Sequence, residues 1–92
     1  MLMKHYNINI SGRVQGIGFR YSARTIARNH NISGFVRNEP DGSVYIEAEG
    51  KPENLDQFLH WCYKGPGSGR IDRVVFNEAP LRDFDSFNIK HF

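Results

Sequence analysis

A chain of 92 residues, 39% of them hydrophobic, suits a single domain (residues 1–92) with one core and leaves no length for a separate regulatory or substrate-binding unit. Twelve Lys and Arg against ten Asp and Glu give a net charge of +2, short of the dense basic stripes that track nucleic acid and better matched to a small anion. Cys62 is the lone cysteine, which excludes an intrachain disulfide and a cysteine-built metal site and points to a reducing cytoplasm.

Met1 to Ile10 lacks the continuous apolar run of a signal peptide or a membrane span, so neither export nor anchoring is expected. Within it Tyr6, Ile8 and Ile10 alternate with Asn7, Asn9 and Ser11, the period of a strand with one buried face. Phe19, Ala23, Ile26 and Ala27 then share one face of a helix predicted from about Phe19 to His30, with Asn29 to Asn31 ending it. Ile32 to Asn38 and Ser43 to Glu49 read as the second and third strands. Glu39-Pro40-Asp41-Gly42 between them has the chemistry of a type I turn, which makes the pair a hairpin.

Pro52 fits a first helical position, and Leu55, Phe58, Leu59 and Cys62 repeat at helical spacing, giving a second helix that ends before Gly65 with Cys62 in the core. Gly65 to Gly69 is short enough to be a loop. Two strand-like runs follow, Arg73 to Glu78 and Ser86 to His91. The order βαββαβ predicts an α+β, ferredoxin-like α/β sandwich: a mainly antiparallel sheet with two helices on one face. In that topology the first two strands run parallel with the third between them. Their C-terminal ends then emerge at one edge, about 10 Å apart.

The link from Gly12 to Arg20 meets Asn38 at that edge. Its three glycines let successive backbone N–H groups point inward as an anion nest. It lacks the Gly-Lys-Ser/Thr of a nucleotide P-loop and the third glycine of a dinucleotide fingerprint. No Ser, Thr, Asp or Asn between Gly12 and Phe19 is available to cap the helix, and Arg20 stands in a first turn that disfavours a cation. A bound anion remedies both; a glycine-rich turn that meets water, with Arg20 aimed at solvent, is the plainer alternative. Asn38 likewise has two readings, a residue that opens the turn or an amide that orients a water against phosphorus. His5, His30, His60 and His91 show no metal-ligand spacing and read as surface or strand residues. Glu47 and Glu49 are expected on a solvated face, and Asp83 and Asp85 in turns.

Gly12-Arg13-Val14-Gln15-Gly16-Ile17-Gly18-Phe19-Arg20 closely resembles the signature of the acylphosphatase family, with Ile17 where that family often has Val. Gly34-Phe35-Val36-Arg37-Asn38 followed by Asp41-Gly42-Ser43-Val44 resembles its second signature. Gly50, the loop holding Pro66 and the closing Phe87-Asn88-Ile89 extend the likeness over nearly the whole chain. The resemblance implies hydrolysis of the carboxyl-phosphate bond of small acyl phosphates without a metal or cofactor. It makes Arg20 the phosphoryl-binding residue, with backbone N–H groups of Gln15, Gly16, Ile17, Gly18 and Phe19, and Asn38 the residue that orients the attacking water. A cytoplasmic monomer is expected, with inorganic phosphate or sulfate as a further ligand of the site and no nucleic-acid or membrane partner. Two rivals are an RNA-binding sheet, for which the third strand lacks the aromatic signature, and a domain serving a larger carbamoyl-transfer machine.

Overall fold

The computed structural model describes residues 2–91; Met1 and Phe92, the two ends of the expected domain, lie outside the described residues. The elements run β1 (Lys4–Arg13), α1 (Phe19–Asn29), β2 (Ser33–Asn38), β3 (Val44–Gly50), α2 (Pro52–Lys64), β4 (Arg70–Ala79) and β5 (Phe87–Ile89). The sheet order is β4-β1-β3-β2-β5. Three ladders are antiparallel, and the short β5 adds a parallel edge to β2, with Gly34 opposite Phe87 and Val36 opposite Ile89. The ferredoxin-like frame is therefore as expected, with β5 as a fifth strand that makes the sheet mixed.

Ile8, Ile46 and Val36 fall in one row across β1, β3 and β2, and all three are fully buried. Phe19, Ala23 and Ala27 of α1 and Leu55, Phe58 and Cys62 of α2 close over that face, so both helices pack on the same side. Phe58 touches the rings of Trp61 and Phe87, tying α2 to the β5 edge. Replacing a buried phenylalanine like this one by alanine costs about 3–5 kcal/mol.

α1 stops as the asparagines require: Asn31 takes the left-handed conformation (φ 56°), and the Ile32 N–H returns to the Ala27 carbonyl at 2.8 Å. β4 is longer than expected by Arg70, Ile71 and Asp72 at its start. Arg70 and Ile71 pair with Arg13 and Gly12 beyond a register shift between Ser11 and Gly12 that skips Asp72, and a mostly exposed edge strand shows little alternation. β5 is shorter than expected and ends at Ile89.

The opposite face of the sheet corrects a second expectation. Glu47 and Glu49 are 9% and 2% exposed, because the segment from Pro80 to Phe84 lies across them. The Glu49 carboxylate accepts from the N–H groups of Arg82 (2.7 Å), Asp83 (3.3 Å) and Phe84 (3.0 Å). Glu47 accepts from Tyr45 Oη at 2.9 Å and from Arg82 at 3.2 Å, and pairs with His5 Nε2 at 3.0 Å. The other ring nitrogen of His5 donates to the Pro80 carbonyl at 2.6 Å. His5 is thus a strand residue, but a buried one.

Candidate active site

β1 delivers the chain to the sheet edge through Gly12, whose backbone passes so close to the Arg70 carbonyl that a Cβ would overlap it. Val14 anchors the loop by burying its side chain in the core. Gly18 then caps α1 in the left-handed conformation (φ 79°), one that a β-carbon disfavours, and redirects the chain into the helix. No side chain caps α1, and its first turn holds no acid, so the N–H groups there have no acceptor from a side chain.

The β2–β3 turn supplies the opposite wall. The Gly42 N–H donates to the Glu39 carbonyl at 3.1 Å, the bond of a type I turn, and the Glu39 N–H donates to the Ser43 carbonyl at 2.8 Å. Asp41 Oδ1 accepts from both the N–H (2.9 Å) and the hydroxyl (2.6 Å) of Ser43. These bonds to Ser43 hold the Asp41 carboxyl below the usual carboxylate range. The turn thus begins at Glu39 and is held by its own residues. Asn38, paired with Val44 in the last rung of the ladder, has a side chain that the turn does not use.

Val14, Gly16, Gly18, Phe19, Arg20, Tyr21 and Asn38 line one cavity of about 220 Å³. Arg20 enters from the first turn of α1 and Asn38 from the end of β2. Of the residues expected at the site, Gly16, Gly18, Phe19, Arg20 and Asn38 meet here. Gln15 and Ile17 instead line an adjoining cavity with Arg13, Gly69 and Arg70, on the other flank of the loop. Among the described residues Arg20 belongs to none of the ion pairs, which join His5 and Arg82 to Glu47, Arg37 to Glu39, and Arg70 to Asp72. An uncommitted guanidinium, a row of uncapped N–H groups and a neutral amide around one small cavity suit a tetrahedral anion and a water beside it.

A model of the acylphosphatase family matches residues 6–89. The chain belongs to the acylphosphatase family. It is 52% identical over 91 residues to an acylphosphatase of Oceanobacillus iheyensis, covering 97% of this chain and all of that one. To an acylphosphatase of Leuconostoc mesenteroides it is 43% identical over 89 residues, covering 96% and 99% of the two chains. The crystal structure of the acylphosphatase from Bacillus subtilis superposes with a TM-score of 0.92 at 32% identity, covering 97% of this chain and 99% of that one. Acylphosphatase activity, the hydrolysis of small acyl phosphates, follows from this membership.

Two features of this candidate site were not singled out in the sequence. Tyr21, 60% exposed, forms part of the cavity wall, and an exposed aromatic directly after Arg20 was the available signal. The side chain of Gln15 reaches across to the turn, and nothing in the spacing announces that.

Proposed function

We propose that the cavity between the loop and Asn38 is where acyl phosphate is hydrolysed. Arg20 holds two oxygens of the phosphoryl group, and the backbone N–H groups of Gln15, Gly16, Ile17, Gly18 and Phe19 neutralise the third oxygen and the developing charge. Asn38 accepts from and donates to the attacking water, holding it in line with the leaving carboxylate. The observation that carries this reading is that Arg20 and Asn38, from different elements, line a single cavity at the uncapped start of α1.

The chemistry asks for little more. Phosphoryl transfer from a good leaving group passes through a loose transition state, so positioning and charge neutralisation do most of the work. Water adds to phosphorus as the carboxyl–phosphate bond breaks, the carboxylate leaves with the bonding pair, and a proton of the water passes to a phosphate oxygen. None of these steps needs a metal or cofactor. Inorganic phosphate and sulfate, which share the tetrahedral shape, occupy the same seat.

We also infer that the chain is one domain that works as a monomer in the cytoplasm, in keeping with its single core and its free, buried Cys62. No described helix is long and apolar enough to cross a membrane.

The test is benzoyl phosphate hydrolysis in excess chelator, with inorganic phosphate as competitor. The reading predicts undiminished turnover, competitive inhibition, and loss of nearly all turnover in Arg20→Ala. Loss of activity on chelation, or survival of turnover in Arg20→Ala, contradicts it.

A further inference from the structure

The side-chain amide of Gln15 donates from Nε2 to the carbonyl of Glu39 at 2.8 Å and to the carbonyl of Ser43 at 2.9 Å. Both partners can only accept, so the NH₂ end of the amide must face them, and its two hydrogens are both used. Glu39 directly follows Asn38, and Ser43 directly precedes Val44, the ladder partner of Asn38. One amide therefore grips both arms of the turn in which the Asn38 strand ends.

The far end of this grip is rigid. Ser43 is 4% exposed; its hydroxyl donates to Asp41 and accepts from Asn9 Nδ2 at 3.2 Å. The near end is the loop itself, because Gly16, next to Gln15, lines the same cavity as Arg20 and Asn38. No other side-chain hydrogen bond among the described residues joins this loop to the turn.

We propose that Gln15 is a positioning residue: its side-chain amide sets the separation between the loop that holds the phosphoryl group and the Asn38 amide that holds the water. This rests on the proposed role of Asn38 as the holder of that water. A displacement of about 1 Å between reacting groups costs on the order of 100-fold in rate, so a tie of this kind acts on turnover without touching substrate. Its effect falls on kcat and not on phosphate affinity, since Arg20 and the loop N–H groups stay in place.

The experiment is a double-mutant cycle with benzoyl phosphate, using Gln15→Met, which keeps length and removes the donors, and Asn38→Ala. Because Gln15 is exposed, the variant keeps its fold, which circular dichroism checks. Gln15→Met is expected to lower kcat by about 10-fold or more, to change the phosphate inhibition constant by less than about 3-fold, and to cost less than about 2-fold in the Asn38→Ala background, the signature of two residues acting as one unit. Full additivity of the two losses overturns the inference, as does a Gln15→Met loss that falls on phosphate affinity. If Asn38→Ala lowers turnover and Gln15→Met does not, the inference fails while the reading of Asn38 stands. If Asn38→Ala leaves turnover intact, that reading fails and the inference goes with it.

Discussion

In the first turn of α1 the N–H groups carry partial positive charge, so the Arg20 guanidinium costs a few tenths to about 1 kcal/mol there unless an anion sits beside it. No acid stands in that turn and no ion pair among the described residues engages Arg20. Replacing it should therefore not harm the fold. In phosphate-free buffer Arg20→Gln is expected to match or slightly exceed the parent in urea denaturation. With phosphate at about 100 times its dissociation constant the parent gains about 2.7 kcal/mol and the variant gains nothing. A variant markedly less stable without phosphate would show that Arg20 is structural. Asn38→Ala is expected to lower kcat by roughly 100-fold and to leave inhibition by phosphate nearly unchanged, because the amide is proposed to hold water and not ligand; a large loss of phosphate binding would reassign it. Arg20 and Asn38 were legible as candidates because local chemistry gave neither of them structural work to do. The helix start had no cap, and the turn had its own Pro, Asp and Gly. The Gln15 tie was not legible, since its partners are backbone carbonyls more than twenty residues away and backbone leaves no mark in a sequence.

At the scale of elements, the segment from Pro80 to Phe84 acts as a strap over the far face of the sheet. Glu49, itself buried, fastens it with three charge-assisted hydrogen bonds from consecutive backbone N–H groups. Glu49→Ala is expected to cost about 2–4 kcal/mol in chemical denaturation while the folded fraction keeps its kcat, the site being on another edge. A change below about 0.5 kcal/mol, the scale of ordinary surface substitutions, would mean that the strap is held by other means. Tyr45 lies on the same side of β3, beside the Phe35 ring and under the Arg37 guanidinium. Burial, and then its hydrogen bond to Glu47, push the phenol up to about 12. An unfolded tyrosine loses its proton near pH 10. As pH rises from about 10 to 12, the unfolded state sheds this proton first and stability falls; in Tyr45→Phe this part of the decline is absent. Denaturation curves across that range check the slope, and equal slopes in the two proteins would contradict it. The strap explains why two acidic residues on alternating positions of β3 read as solvated: the residues covering them, Pro80 to Phe84, have the composition of a loop. The elements themselves were legible because their periods were clean, except for β4, an edge strand whose exposed residues hide its alternation.

The whole molecule is arranged so that one edge receives the ends of β1 and β2. The split βαβ topology puts β3 between them, which brings a helix start and a strand end about two strand spacings apart. The order of elements and their single buried face contained that juxtaposition, so the site was legible at the level of topology before any side chain was placed. The lone thiol stands apart from it: Cys62 is fully buried on the core face of α2, and burial pushes its pKa up. Thiol reagents are therefore expected to leave the folded enzyme active, and rapid alkylation with loss of turnover would show a role for Cys62 that the fold does not suggest. The most direct measurement of the central claim is a titration of the ¹⁵N-labelled protein with inorganic phosphate, following each backbone amide by NMR. Saturable shifts concentrated at the amides from Gln15 to Arg20, and absent in Arg20→Ala, are the expected result. Shifts centred anywhere else on the molecule, with those amides unmoved, would contradict it.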